Sequence, residues 1–196
     1  MVVLGLIGEK GSGKGTFTDI LKEIWADKKI EVVSSSGILS ETLKLWGIPN
    51  SRGNLQRLAV TMDDVYGNGT LTGAVVNRIK QSSADVVVFD NIRWPSDLGE
   101  VRRFPGYCVV YITAPRELRY NRMLARNEKV GEAEMTWEQF LAQEKAETEK
   151  YIAGLGEQAD AAFVNVFSDR ASFKNQIRGF CKNWEEILRW QNGLLK

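Results

Sequence analysis

The sequence contains no histidine and only two cysteines among its 196 residues. The absence of histidine excludes imidazole acid–base catalysis, triads built on imidazole and histidine metal sites. Cys108 and Cys181 lie far apart and lack metal-ligand spacing, so we expect reduced, packed thiols and a cytoplasmic location. Any chemistry must therefore use carboxylates, lysine, arginine, hydroxyls or a bound ion.

A strong charge imbalance and long apolar segments are also missing. The 26 lysines and arginines nearly balance the 25 acids, so we expect no broad surface for nucleic acid. No apolar run approaches the roughly 20 residues that span a bilayer, and no leader precedes the first strand pattern, so we expect no membrane partner. The length suits one α/β domain over residues 1–196.

Short apolar, β-branched runs alternate with stretches of helical periodicity. This alternation predicts an α/β fold, a parallel sheet with helices on both faces. The expected strands span residues 2–7, 30–34, 85–90, 107–113 and 162–167. The expected helices run from the first strand's loop to about residue 26, and over 38–46, 55–66, 71–79, 116–126, 137–152 and 172–188.

The strongest functional signal is the segment Gly-Glu-Lys-Gly-Ser-Gly-Lys-Gly-Thr at residues 8–16. A glycine-rich turn between a buried strand and a helix cradles phosphate, because its N–H groups converge and the helix dipole adds positive potential. Lys14 is expected between the β- and γ-phosphates of a nucleotide. The expected phosphate-binding residues are Gly8, Gly11, Ser12, Gly13, Lys14, Gly15 and Thr16.

A possible magnesium site involves the same loop and the end of the third strand pattern. Gly15 stands where the strict phosphate-loop pattern has Ser or Thr, so Thr16 is the candidate Mg2+ ligand from the loop. Asp90 is expected either to hold Mg2+ through water or to orient the hydroxyl that accepts a phosphoryl group. A helix cap or a turn before Pro95 is the structural alternative for Asp90.

Arginines follow the third and fourth strand patterns, at the sheet edge where ligands bind. Arg93 can grip an acceptor phosphate through its bidentate fork, or it can form a surface ion pair with Asp97. Arg119, Arg122 and Arg126 recur at helical spacing and can stack on a purine or neutralise a migrating phosphoryl group. For Arg119 the solvated helix surface is the favoured interpretation.

The segment around residues 136–149 combines a helix-start signal with many acids. Thr136 is expected to cap a helix, with Gln139 at the capping-box position. The acids over residues 138–149 are interleaved with Lys145, so they indicate an exposed helix face.

The Gly-Ser-Gly-Lys-Gly-Thr segment at residues 11–16 is similar to the phosphate loop of adenylate kinases. With Asp90-Asn91-Ile92-Arg93, the chain resembles the P-loop nucleoside monophosphate kinase superfamily. It also looks like the related dephospho-CoA kinases and an uncharacterised, largely archaeal branch of nucleotide-kinase-like proteins. The resemblance implies a five-stranded parallel sheet, ATP and Mg2+ as cofactors, an acceptor-binding helical insert at residues 36–82 and a lid at residues 127–150.

The resemblance also assigns roles by position. Lys14 and Thr16 would bind donor phosphates. With Asp90, which is assigned from its place at the end of a strand, Lys14 and Arg126 are the candidate catalytic residues. Arg122 is similar in placement to the arginine that stacks on the donor adenine, and Arg126 to the one that contacts its phosphates. The acceptor-binding residues implied are Ser36 and Gly37 at the start of the insert, and Arg93.

Several positions depart from the family's acceptor site. Related chains carry Asp and Arg where this chain has Ile38 and Glu41, a basic residue near Asp63 and often arginine at Ala146. A lost charge-assisted hydrogen bond to phosphate costs about 1.5–3 kcal/mol. The candidate replacements are Arg52, Arg57 and Lys145.

The leading hypothesis is therefore an ATP- and Mg2+-dependent phosphotransferase acting on a nucleotide or nucleotide-like small molecule, as a monomer or homodimer. The hydroxyl of dephospho-CoA is the second candidate acceptor. A nucleotide-binding regulatory protein, or a slow ATPase with a degenerate acceptor site, is the alternative from a different class.

Overall fold

The computed structural model describes residues 1–126, 134–146, 149–166 and 169–194. Five parallel strands form one sheet in the order β2-β3-β1-β4-β5. The strands are β1 Val2–Ile7, β2 Ile30–Val33, β3 Val86–Ile92, β4 Cys108–Thr113 and β5 Ala161–Val164. The prediction of a parallel α/β sheet is confirmed, with each strand within a few residues of its expected bounds.

Helices connect the strands and cover both faces of the sheet. In chain order they are α1 Lys14–Ile24, α2 Ser35–Leu45, α3 Arg52–Tyr66, α4 Thr70–Gln81, α5 Pro95–Val101, α6 Arg116–Arg126, α7 Trp137–Glu144, α8 Ile152–Gly156 and α9 Arg170–Leu194. Helices α2, α3 and α4 all lie between β2 and β3, as the turn signals predict.

Two apolar cores flank the sheet because alternate strand residues point to opposite faces. On one face, α1 and α9 pack over the sheet, with Phe17 and Ile177 fully buried. On the other face, residues of α4, α5 and α8 pack together, including Ile79, Val101 and Leu155. A strand buried on both sides needs near-continuous apolar sequence, which explains the strand patterns.

The helical predictions differ from the structure in two places. The helix expected over residues 137–152 ends at Glu144, and a separate helix, α8, begins at Ile152. Helix α5 was not predicted: it starts at Pro95, whose fixed φ suits the first helical position.

The capping box at the start of α7 is confirmed. The Gln139 amide donates to Thr136 Oγ1 at 3.2 Å, and the Thr136 amide donates to Gln139 Oε1 at 2.9 Å. Cys108 and Cys181 are both buried free thiols, and burial raises the pKa of each to about 12. In the described ranges, no helix has the length and hydrophobicity needed to cross a bilayer.

Candidate active site

The glycine-rich loop after β1 is packed so closely that it has no room for side chains at two positions. A Cβ on Gly8 would lie 2.2 Å from the carbonyl oxygen of Ile112. A Cβ on Gly11 would lie 2.5 Å from the carbonyl oxygen of Arg119, and Gly11 has φ +75°. These close backbone contacts pack the loop against β4 and α6 and require glycine at both positions.

Asn165, directly after β5, fastens the far side of the loop. Its Nδ2 donates to the carbonyl oxygen of Ser12 at 2.9 Å, and a Cβ on Gly13 would lie 2.2 Å from the same nitrogen. Its Oδ1 accepts from Arg122 Nη2 at 3.2 Å. Asn165 therefore joins the phosphate loop to Arg122, and the sequence signal for it was a polar residue directly following an apolar strand.

Lys14 begins α1, and its ammonium folds back over the loop. Its Nζ donates to the carbonyl oxygens of Gly8 at 2.7 Å and Glu9 at 3.0 Å. Burial lowers its pKa from 10.5 to about 8, with the carboxylate of Asp90 partly opposing that shift. The ammonium therefore lies beside the loop, where a bound anion would stabilise its positive charge.

Asp90 lies near the end of β3, where the strand is irregular. Leu6 pairs with Asp90 but Ile7 pairs with Ile92, so Asn91 is an extra residue and has φ 79°. Burial raises the pKa of Asp90 above 3.8, opposed by nearby Lys14. Among the described residues, no hydrogen-bond donor reaches Asp90 Oδ1, which is buried.

An orphaned, buried carboxylate oxygen close to a phosphate loop fits either a hydrated cation or a hydroxyl donor. No cluster of three acidic or cysteine side chains suited to a metal occurs in the described part of the chain. A magnesium ion here would therefore depend on phosphate oxygens and water together with Asp90. Thr16, the other candidate ligand, is exposed at the start of α1.

Arg93, just beyond β3, is held by side chains from two directions. Its Nη1 forms an ion pair with Glu149 Oε1, and Glu149 Oε1 also lies 3.5 Å from Lys10 Nζ in the phosphate loop. With its amide oxygen facing the guanidinium, Asn91 accepts from Arg93 Nη2 at 3.0 Å and Nε at 2.8 Å. The Glu149 side chain is only 7% exposed, so the expectation of an exposed acidic face is wrong at this residue.

The expected ion pair between Arg93 and Asp97 is replaced by main-chain contacts. Asp97 Oδ2 accepts from the amides of Arg93 at 3.1 Å and Trp94 at 3.2 Å. Its Oδ1 accepts from Thr72 Oγ1 of α4 at 2.6 Å. Asp97 is buried, so this carboxylate organises the chain after β3 rather than neutralising Arg93.

The solvated interpretation of Arg119 is also wrong. Arg119 is 6% exposed, its Nε donates to the carbonyl oxygen of Ala114 at 2.9 Å, and its Nη1 pairs with Glu144. Glu144 Oε2 lies 2.6 Å from Arg116 Nε. The acid of α7 thus turns inward to bind two arginines of α6, which local charge patterning does not reveal.

A cavity of about 200 Å3 lies beside the loop, between α6, α7 and α8. Its charged lining comprises Glu9, Lys10, Arg116, Arg119, Glu144 and Glu149. Glu9 Oε1 accepts from Tyr111 Oη at 2.6 Å and Thr113 Oγ1 at 3.3 Å. No donor in the described residues reaches the buried Glu9 Oε2. This cavity was not predicted, because its walls come from distant parts of the chain.

The remaining expected site residues lie on α2 and α6. Ser34 caps α2 by accepting from the Gly37 amide at 3.0 Å, and Ser36 is exposed beside it. Arg126 is exposed at the end of α6. Residues 127–133 and 147–148 of the expected lid lie outside the described residues.

Two residues that differ from the acceptor site of related chains, Ile38 and Glu41, make contacts within this protein. Ile38 packs against the core on the α4 side of the sheet. Glu41 of α2 binds Arg78 of α4, with Arg78 Nη2 donating to Glu41 Oε2 at 2.5 Å. Glu41 therefore forms an ion pair within the insert, between α2 and α4.

Sequence relatives share most of the chain. A UPF0200 protein of Pyrococcus abyssi is 30% identical over 182 residues, which cover 90% of this chain and 93% of that protein. A UPF0200 protein of Sulfurisphaera tokodaii is 26% identical over 187 residues, covering 95% and 96%. No family model matches the chain.

Solved structures share the fold. A shikimate kinase from Bacteroides thetaiotaomicron superposes with a TM-score of 0.63 at 11% identity, covering 94% of this chain and 98% of that one. A gluconokinase from Sinorhizobium meliloti gives 0.56 at 16% identity, covering 96% of both chains. The prediction of a P-loop kinase-like fold is confirmed.

Proposed function

The chain belongs to the UPF0200 family and has a P-loop kinase-like fold, and from this premise we propose that it is an ATP-dependent phosphotransferase acting on a small molecule. The acceptor is a nucleotide or nucleotide-like molecule. One observation carries the proposal above the others. The half-buried Lys14 ammonium lies on a closely packed phosphate loop near Asp90, whose buried carboxylate oxygen has no donor among the described residues.

Donor binding is assigned to the loop and the helix that follows it. The loop amides and Lys14 hold the triphosphate, because the helix N-terminus and the ammonium both favour negative charge. Arg122, linked to Ser12 through Asn165, stacks on the purine base. Arg126, at the end of α6 and directly before the expected lid, contacts the donor phosphates.

Acceptor binding is assigned to the edge of the sheet formed by β2 and β3. Ser36 and Gly37 start the helical insert of residues 36–82, which encloses the acceptor. Asp90 orients the attacking group and Arg93 neutralises charge on the migrating phosphoryl group. Mg2+, held by Asp90 and Thr16 with phosphate and water ligands, would add electrostatic stabilisation of that charge.

The direct test is acceptor-stimulated formation of ADP. Purified protein with ATP and Mg2+ is screened against nucleoside monophosphates, nucleosides and dephospho-CoA. Lys14→Ala serves as the loop variant and Lys22→Ala, on the exposed side of α1, as the matched control. Stimulation by one acceptor class, lost only in Lys14→Ala, supports the proposal. Failure to bind ATP, or equal turnover in both variants, contradicts it.

A nucleotide-binding regulatory protein or slow ATPase is the second candidate. The observation in its favour is the ion pair between Glu149 and Arg93, the arginine expected to bind an acceptor phosphate. Tight ATP binding with slow hydrolysis that no acceptor accelerates would favour this function over phosphoryl transfer.

A further inference from the structure

Glu149 lies where two parts of the proposed active site meet. Its side chain is buried, pairs with Arg93 beyond β3 and lies 3.5 Å from Lys10 in the phosphate loop. Its charge also acts on Lys14, since Glu149 is among the groups that favour the charged form of that ammonium. A single carboxylate therefore faces three cations around the expected position of phosphoryl transfer.

A second buried carboxylate lines the adjoining cavity. Glu9 Oε1 is hydrogen-bonded to Tyr111 and Thr113, while no described donor reaches its buried Oε2. A buried acceptor without a donor is stabilised by a group that brings an O–H or N–H and is destabilised by another anion. At this oxygen the cavity therefore favours a hydrogen-bond donor over an anion.

We propose that Glu149 determines the class of acceptor: its carboxylate excludes phosphomonoesters and admits a molecule that presents a neutral hydroxyl group. This inference rests on the proposed phosphotransferase function and narrows its acceptors to nucleotide-like molecules that carry no phosphomonoester. A phosphomonoester brings about two negative charges and would have to displace Glu149 from both Arg93 and Lys10. A neutral hydroxyl group leaves the contacts of Glu149 with Arg93 and Lys10 intact, and it can donate a hydrogen bond to the Glu149 carboxylate.

The corresponding reaction is phosphorylation of a hydroxyl group. The acceptor oxygen forms a bond to the γ-phosphorus of ATP, and the bond from that phosphorus to the β,γ-bridging oxygen breaks. Asp90 receives the hydroxyl proton and returns it to solvent, and ADP leaves. Arg93, held by Glu149 and Asn91, is kept in place to face the migrating group.

The test compares three variants by titration calorimetry with inorganic phosphate and with AMP as probes. Glu149→Gln removes the charge and keeps the shape, Glu149→Asp keeps the charge, and Glu138→Gln removes an exposed charge on α7. We expect Glu149→Gln to bind both probes roughly ten- to a hundred-fold more tightly than the wild type. The other two variants should match the wild type.

Each titration is made with and without a saturating non-hydrolysable ATP analogue and Mg2+. Equal affinity in Glu149→Gln and wild type, or an equal gain in Glu149→Asp, overturns the proposal, and so does AMP-stimulated ADP formation by the wild type. If Glu149→Gln fails to fold, Glu149→Ala takes its place. If the wild type does not bind the ATP analogue, the proposed function is contradicted. The phosphate titration without the analogue still tests the role of Glu149 in that case, so the two failures can be told apart.

Discussion

The side-chain amide of Asn165 donates a 2.9 Å hydrogen bond to the carbonyl oxygen of Ser12, joining the end of β5 to the phosphate loop across 153 positions of sequence. Both residues are buried, so water cannot replace this bond easily. The phosphate loop therefore depends on a residue that no local pattern connects to it.

Replacing Asn165 with alanine should loosen the loop. The substitution leaves the buried carbonyl oxygen of Ser12 without its donor and removes the hydrogen bond to Arg122. We therefore expect the free energy of unfolding to fall by about 1–3 kcal/mol. ATP affinity should fall as well, because the loop is no longer held in its binding shape. Chemical denaturation and calorimetry measure the two effects, with the exposed Asn121→Ala as control. Unchanged ATP affinity would contradict this role.

The free energy of unfolding should depend on pH through the titration of Lys14. Its pKa is lowered from 10.5 to about 8 in the folded protein, so between these values the unfolded chain binds more protons. Stability of the ligand-free protein should therefore rise with pH through this interval, by up to about 3 kcal/mol.

Lys14→Met should lack this rise, whereas Lys22→Met on the exposed face of α1 should keep it. Urea unfolding at pH values below, within and above the interval gives the comparison. The same slope in Lys14→Met and wild type would show that Lys14 is not the titrating group.

Asp90→Asn should separate binding from chemistry. The amide keeps the size of the side chain but cannot accept a proton, so we expect phosphoryl transfer to fall about 10²–10⁴-fold while ATP still binds. Because burial raises the pKa of Asp90 above 3.8, activity of the wild type should fall at acid pH before an exposed aspartate would protonate. Steady-state rates across pH test both points, and Asp19→Asn, exposed on α1, is the control.

Two glycines of the loop should respond differently to alanine. At Gly13, φ is +104° and a Cβ would lie 2.2 Å from Asn165 Nδ2, so Gly13→Ala should cost about 1–3 kcal/mol and impair ATP binding. At Gly15 a Cβ meets nothing within 4 Å, so Gly15→Ala should fold and bind ATP like the wild type. Thermal unfolding with and without ATP distinguishes the two, and equal behaviour would refute the packing argument.

Sequence patterns predicted the framework of the fold better than the contacts between its parts. The phosphate loop and the strand ending near Asp90 follow from local composition, because a buried parallel strand must be apolar along its length. The sequence predicts exposed side chains for both Arg119 and Glu149, because their partners Glu144 and Arg93 are distant in sequence. Helix α5 was missed because its start depends on Asp97 accepting main-chain amides, and seven residues carry little periodicity.

The two carboxylate oxygens of Asp97 accept hydrogen bonds from different parts of the molecule. Oδ1 accepts from the Thr72 hydroxyl in the insert, and Oδ2 accepts from the main-chain amide of Arg93. Helix α4 and the turn after β3 are thus tied to one buried carboxylate, and neither can move away from it without breaking a buried hydrogen bond. If a bound acceptor shifts the insert, the main chain at Arg93 is expected to shift with it, and the proposed phosphoryl-binding guanidinium moves together with the insert.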